Sequence, residues 1–281
     1  MADDKAAILG TVQQFFSSLS RRPPFTEAAL EYALPDAWCV NTHPGGSSLV
    51  RIKEMIRQIE EQVVMSLNGG AKEFQETLDA PDPEVWVHED MAAVWTGYRA
   101  LLDGKEVNGG IMLFSLHRTP TGWKISGTAN TKPAPGGVLP PVTREARPDV
   151  VEPVDQFLQH MTKHEWDGFR SKLSREGGIT NSRRSMGMLK TSTWDELVEM
   201  IKAASAKSPP GTIYELLHDV EARVCGDFAF LWTPFVIEVQ GHVENKGVNI
   251  FTMVREGGKW IIAGCQDTSM PTEDARINLR E

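Results

Sequence analysis

A carboxylate ends the last predicted strand of the chain, at Asp267 in the segment W-I-I-A-G-C-Q-D. Successive side chains of a strand point to opposite faces, so Asp267 is predicted to share a face with Ile261, Ala263 and Cys265. A carboxylate at the rim of an apolar face is partly desolvated, which raises its pKa and makes it a usable base near neutral pH. The alternative is an aspartate that begins a loop and caps the backbone amides after it.

Two further polar residues are candidates for catalytic roles beside such a base. Asn249 interrupts an otherwise apolar strand, and a buried amide there could orient a carbonyl or steady an enolate oxygen. The alternative for Asn249 is an amide that neighbouring backbone groups satisfy. His43 precedes a Pro-Gly-Gly turn and could shuttle protons, although a solvated turn histidine is the alternative. We therefore predict Asp267, Asn249 and His43 as catalytic residues.

Polar and aromatic residues of the other strands are candidates for binding a substrate. Tyr98 and Arg99 stand where the second half of the chain has Phe235 and Val236, which predicts a more polar pocket wall in the first half. The alternative is an edge-strand tyrosine beside a solvated arginine. Trp232 recurs at a matching position in the first half, which also favours a role in core packing. The predicted substrate-binding residues are Asn130, Tyr98, Arg99, Tyr214 and Trp232.

These residues belong to a pattern that occurs twice, with a spacing of 137 residues. Three pairs of segments match: W-K-I-S-G-T-A-N (123–130) with 260–267, D-M-A-A-V-W-T (90–96) with D-F-A-F-L-W-T (227–233), and G-I-M-L-F-S-L-H-R (110–118) with G-V-N-I-F-T-M-V-R (247–255). Two copies of one fold are therefore predicted. Asn130 replaces Asp267 in the first copy and cannot act as a base. The first pocket thus binds without reacting, uses a different residue, or is vestigial.

Each half is predicted to form helices first and strands afterwards. In the first half a long helix should begin at Ser47 or Ser48 and end at Gly69-Gly70, after which apolar residues recur with period two. Pro81 and Pro83 interrupt the first long strand and predict a bulge or an edge position there. The second half repeats the order, which is typical of the α+β class.

Two local signals organise the second half of the chain. Thr193 to Glu196 has the form of a capping box, in which hydroxyl and carboxylate satisfy each other's backbone donors. Residues 213–224 are predicted to form a single strand. Ahead of them, residues 131–150 hold five prolines and two glycines, typical of an extended, fairly stiff linker. The predicted domains are 1–132 and 150–281, with a proline-rich linker at 133–149.

This order of elements, with D-x-A-x-x-W, G-x-x-x-F-x-x-x-R and a final G-x-W-x-I strand, resembles the nuclear transport factor 2-like superfamily. The SnoaL-like polyketide cyclase branch is the most similar, and the resemblance covers about 125 residues of each half. It implies two tandem cone-shaped domains, each a curved antiparallel sheet wrapped around N-terminal helices, packed as a pseudo-dimer. It also implies an acid/base role for an aspartate near the end of the last strand, where Asp267 stands.

Composition narrows the classes of partner. The formal net charge of −9 disfavours nucleic acid and anionic membranes, which need a concentrated basic face. No apolar run approaches the ~20 residues of a membrane span, and the N-terminus lacks the apolar core of a signal peptide. Three cysteines without metal-ligand spacing fit a reducing compartment, so we expect a cytoplasmic protein. No glycine-rich phosphate loop, serine elbow or C-x-x-C motif occurs, so no cofactor or metal is expected.

The function predicted from the sequence is that of a cofactor-free isomerase, cyclase or dehydratase acting by proton transfer. Its substrate would be a small, apolar, oxygenated metabolite of the polyketide or aromatic natural-product type. The alternatives are non-catalytic binding of a similar small molecule and a protein-interaction module. The tandem would form an internal pseudo-dimer, existing either as a monomer or as a further homodimer.

Overall fold

The computed structural model describes residues 2–43, 46–134 and 136–272. Contacts within the chain divide it into two compact units, Met1–Pro140 and Pro141–Glu281. Each unit combines helices in its N-terminal part with one β-sheet, which confirms the predicted α+β class with two tandem domains. None of the described helices is long and apolar enough to cross a membrane.

The first unit forms one six-stranded sheet, in the order β2-β1-β6-β5-β4-β3. Its elements are α1 (Ala2–Leu19), α2 (Thr26–Leu30), β1 (Ala33–His43), β2 (Gly46–Arg51), α3 (Ile52–Asn68), β3 (Phe74–His88), β4 (Met91–Leu102), β5 (Lys105–Thr119) and β6 (Gly122–Thr131). Strands β1 and β6 pair in parallel, and the other neighbours are antiparallel.

The second unit repeats this arrangement in a sheet with the strand order β10-β11-β12-β13-β7-β8. Strand β9 pairs with the C-terminal part of β11, at residues 235–239. Its elements are α4 (Pro148–Lys163), α5 (Trp166–Arg170), β7 (Leu173–Arg183), a 3₁₀ helix (Arg184–Met186), β8 (Met188–Thr193), α6 (Trp194–Ser205), β9 (Ile213–Leu217), β10 (Glu221–Cys225), β11 (Phe228–Val239), β12 (His242–Glu256) and β13 (Lys259–Pro271). Strands β7 and β13 are parallel, so both sheets are mixed rather than wholly antiparallel.

The apolar faces of the helices pack on one face of each sheet. In the first unit the Phe15 ring meets Phe114 of β5 edge to face, at 6.2 Å between ring centroids. In the second unit Phe157 of α4 stacks on Phe169 at 4.2 Å and meets Phe251 of β12 edge to face at 6.2 Å. Such aromatic pairs add to the stabilisation that burial of the rings itself provides.

Several local predictions are confirmed. Thr193 caps α6 in a complete capping box with Glu196. The prolines at 81 and 83 lie in β3, which is an edge strand and has a register break between Asp79 and Glu84. An edge strand tolerates proline because its outer backbone groups need no partner in the sheet.

Two element boundaries differ from the prediction. Residues 47–51 belong to β2 rather than to the start of α3, because they pair with β1, as Val50 does with Cys39. Residues 213–224 form two strands instead of one. The break between β9 and β10 contains Asp219, whose positive φ of 42° is incompatible with a continuous strand.

Candidate functional site

A cavity of about 310 Å³ lies in the second unit, between helices α4 and α6 and one face of the sheet. Most of its lining is apolar, with side chains such as Phe157, Leu197 and Phe251. Strands of the sheet add five polar side chains: Asn181, Arg183, Glu215, Asn249 and Asp267. An apolar cavity with a few convergent polar groups is typical of a site for a small molecule.

The register of the sheet brings three of these polar residues into one row. Asn249 of β12 pairs with Asp267 of β13, which pairs with Asn181 of β7. Residues directly opposite each other on neighbouring strands share a face of the sheet. Asp267 and Asn249, which were singled out from the sequence, therefore line the same cavity.

Two donors hold the carboxylate of Asp267. The Arg183 guanidinium forms an ion pair with Oδ1, and Nδ2 of Asn181 donates a hydrogen bond to the same oxygen at 3.1 Å. Asp267 is only 5% exposed, so its charge needs such compensation. The arrangement fixes the carboxylate in position and places a cation in the cavity wall.

A second carboxylate, that of Glu215, faces this ion pair from β9. Nδ2 of Asn249 donates a hydrogen bond to its Oε1 at 2.6 Å. Burial, and after it the negative charge of Asp267, raise the pKa of Glu215, whereas the Asn249 hydrogen bond and Arg183 partly offset the shift, and together they bring it to about 7. A group with a pKa near the working pH is well suited to both accept and return a proton.

Glu215 was missed from the sequence, whereas its neighbour Tyr214 was predicted to bind substrate. Tyr214 is 43% exposed and lies on the other face of β9, outside the lining of this cavity. The signal was present in I-Y-E-L-L, where alternation places Glu215 with Ile213 and Leu217. A lone carboxylate on an otherwise apolar strand face marks such a position.

A β-bulge changes the predicted inner face of β13. Thr252 pairs with Gly264 and Met253 with Ile262, so one extra residue of β13 lies between them. The inner face therefore continues through Ile262, which belongs to the core, and not through Ile261 as simple alternation predicts. Cys265 and Asp267 lie beyond the bulge and keep their predicted face.

Two further predicted substrate-binding residues line neither this cavity nor the corresponding cavity of the first unit. Trp232 pairs with Ile250, so it occupies the sheet face opposite to that of Asn249. The side chain of Arg99 is 45% exposed and faces Asp79, with 3.9 Å between their charged atoms. Trp232 and Arg99 therefore belong to neither candidate site.

The first unit contains a corresponding cavity of about 280 Å³, lined by α1, α3 and the sheet. Asn130, Tyr98 and His43 line this cavity. Of the three predicted catalytic residues, His43 therefore lies in a different cavity from Asp267 and Asn249. Nδ2 of Asn130 donates a hydrogen bond to Oδ1 of Asn41 at 2.6 Å. An amide pair thus stands at the register position that Asp267 and its partner occupy in the second unit.

Glu76 is the buried carboxylate of the first cavity. It pairs with Ala100, and Glu215 pairs with Ile237, which follows Ala100 by the 137 residues of the repeat. The two glutamates therefore occupy equivalent places in their sheets. Burial alone raises the pKa of Glu76 to about 7. Burial and the nearby Glu76 raise the pKa of Tyr98, so its hydroxyl stays protonated.

No protein-family model matches the chain, and no curated protein matches it. Solved structures of similar fold each cover about half of it. They include a nuclear transport factor 2-like protein with a cystatin-like fold from Novosphingobium aromaticivorans (18% identity, TM-score 0.37, 47% of this chain and 82% of that one). A nuclear transport factor 2-like superfamily protein from Salmonella enterica has 21% identity and a TM-score of 0.35, over 49% and 96% of the chains. A protein of unknown function with a cystatin-like fold from Nostoc punctiforme has 15% identity and a TM-score of 0.36, over 47% of this chain and 92% of that one. The narrower resemblance to the SnoaL-like branch stays a prediction.

Proposed function

We propose that the second unit is a cofactor-free acid/base enzyme that moves a proton within a small, largely apolar carbonyl compound. The observation that carries the proposal is Glu215, a carboxylate with a pKa of about 7 in an apolar cavity. Such a proton transfer is a first step available to isomerisation, cyclisation and dehydration of polyketide or aromatic metabolites. The base is thus assigned to Glu215 instead of Asp267.

The proposed step removes a proton from the carbon next to the carbonyl group. The C–H bond breaks, the proton passes to a carboxylate oxygen of Glu215, and the electron pair moves to the carbonyl oxygen. Arg183 stabilises the negative charge that develops there, since a fixed cation in an apolar cavity interacts strongly with it. Glu215 then returns the proton to another carbon atom.

The two residues predicted from the sequence take supporting roles in this proposal. Asp267 holds the guanidinium of Arg183 through its ion pair. Asn249, predicted to contact an enolate oxygen, donates its Nδ2 hydrogen to Glu215 and so orients the base. Both are positioning residues, because each acts through another side chain.

Deuterium exchange tests the proposal without knowledge of the natural substrate. Acetophenone and cyclohexenone are incubated with the protein in heavy water, and loss of the proton signal next to the carbonyl is followed by NMR. We expect the native protein to accelerate exchange and Glu215→Gln to abolish the acceleration. Glu76→Gln, the matched change in the first unit, is the control and should retain it. Exchange that survives Glu215→Gln would overturn the assignment of the base.

Non-catalytic binding is the second candidate, and one observation favours it. Both carboxylates of the second cavity already accept hydrogen bonds, as they would in a site that only binds. Saturable binding of the same ketones with no acceleration of exchange would support this candidate against the enzyme. The open volumes of both cavities fit either small-molecule role better than a protein-interaction module.

A further inference from the structure

We propose that the cavity of the first unit binds an organic ammonium ion, with Glu76 as its counter-ion and Phe15, Phe16 and Tyr98 as aromatic walls. These four residues line one cavity of about 280 Å³. The proposal concerns a different unit from the proposed enzyme site and stands independently of it.

The carboxylate of Glu76 is the anchor of this site. Glu76 is 8% exposed, and its carboxylate has no ion-pair or hydrogen-bond partner within the described ranges. Its backbone alone is engaged, since its amide donates to the Ser20 hydroxyl at 2.9 Å. A buried carboxylate without a partner is costly as an anion, and a bound cation would remove that cost.

Three aromatic side chains line the same cavity as this carboxylate. Phe15 and Phe16 come from α1, with 6.3 Å between their centroids, and Tyr98 comes from β4. Aromatic faces attract ammonium groups electrostatically, and the attraction grows when the cation is desolvated. A buried acid among three rings is thus the chemistry that recognises an alkylammonium group.

In the cavity of the second unit, by contrast, both carboxylates have partners. There Arg183 neutralises one carboxylate and Asn249 donates to the other. In the first cavity the positions of Asn249 and Asp267 are taken by Met112 and Asn130, which carry no charge. The two cavities are therefore suited to different ligands: a neutral carbonyl compound in the second and a cation in the first.

The other titratable groups that line the first cavity leave Glu76 as its only acid among the described residues. His43 of β1 and Lys132 after β6 are exposed, which places them at the rim. Burial raises the pKa of Cys39 to about 11, so this thiol is neutral. The remaining polar lining from α3 and the strands is uncharged: Asn41, Ser48, Gln58, Gln62, Tyr98, Asn108, Thr128 and Asn130.

Calorimetric titration with two matched probes tests the proposal. Benzylamine is a cation at about pH 8, whereas benzyl alcohol has nearly the same shape and no charge. We expect benzylamine to bind the full-length protein more tightly than benzyl alcohol does. Glu76→Gln should weaken benzylamine by about tenfold or more, since a hydrogen bond between charged groups is lost. Glu215→Gln is the matched control and should leave this binding unchanged.

Two further measurements separate recognition of charge from a structural effect of the substitution. Tyr98→Phe keeps the ring and should retain benzylamine binding, whereas Tyr98→Leu should weaken it. The affinity for benzylamine should fall as the pH drops below about 7, because protonation of Glu76 removes the counter-ion. Equal binding of benzyl alcohol, no detectable binding of benzylamine, or no effect of Glu76→Gln would each overturn the proposal. Failure of this test leaves the exchange chemistry assigned to Glu215 untouched.

Discussion

Arg183 and Asp267 form an ion pair across β7 and β13, and the first unit replaces both residues together. His43 and Asn130 stand at the corresponding positions, because β1 pairs with β6 in the same register as β7 with β13. One unit therefore has a cation and an anion at this place, and the other has a histidine and an amide. In the second unit each charge of the pair compensates the other.

Removing one member of this pair should be worse than removing both. Asp267→Asn deprives Arg183 of its partner, and because the Arg183 side chain is 29% exposed we expect a loss of about 3 kcal/mol in the free energy of unfolding, at the lower end for a buried pair. The double variant with Arg183→His copies the first unit and should recover most of that loss. Denaturant unfolding measures all three proteins. A double variant less stable than Asp267→Asn alone would contradict the coupling.

Asn249 should set the pH dependence of the proposed exchange reaction. Its hydrogen bond lowers the pKa of Glu215, so Asn249→Met, which copies Met112, should raise that pKa above about 7. The pH of half-maximal exchange should move up by about one unit, the equivalent of one hydrogen bond to a charged group. Exchange rates across pH give this value directly. Met112→Leu is the matched control in the first unit, and an unshifted profile for Asn249→Met would disprove the role of the amide.

Glu76 should make the protein less stable as the pH rises towards neutrality. The folded pKa of about 7 exceeds the ordinary value of 4.5, so between these values the folded state binds more protons than the unfolded state. The free energy of unfolding therefore falls across this window and stays low above it. Glu76→Gln removes the effect and should stabilise the protein by about 3 kcal/mol at most above pH 7. Unfolding curves on both sides of the window test this, and parallel curves for variant and native protein would count against it.

The cavity thiols should react slowly in the folded protein. Burial raises the pKa of Cys39 from 9.0 to about 11, and burial together with Asp267 and Glu215 raises the pKa of Cys265 well above 9.0. Only the thiolate attacks iodoacetamide, so Cys39 should be alkylated about a hundredfold more slowly than in the unfolded chain. Peptide mass spectrometry follows each cysteine separately. Equal rates in folded and unfolded protein would refute the burial of these groups.

Local patterns were enough to predict most elements of the fold. Helical periodicity, strand alternation and the capping box at Thr193 all depend on residues close in sequence. The repeat also shows the helix and strand patterns twice, which supports their assignment. The parallel pairing of β1 with β6 has no such local signal, because the partners Asn41 and Asn130 are 89 residues apart. The same holds for the bulge that turns Ile262 inward, since it is defined only against the neighbouring strand.

Only the part of the candidate site that depends on local patterns could be predicted from the sequence. Alternation within one strand was sufficient to place Asp267 and Asn249 on a cavity wall. Arg183, in the sequence R-R, suggests a solvated loop until β7 pairs with β13 and brings it to Asp267. Glu215 could have been found from its apolar strand face, but only the folded sheet shows that it faces the ion pair.

The parallel pairing of the first and last strands also governs how each unit can form during synthesis. Asn41 and its partner Asn130 are 89 residues apart, and Asn181 and Asp267 are 86 apart. At the usual pace of translation, β1 must wait about 5 to 20 seconds for the strand that completes its sheet. During that interval the sheet of the first unit lacks the strand that lies between β1 and β5. The first unit can close its sheet while the second is still on the ribosome, so the two copies need not compete for each other's strands.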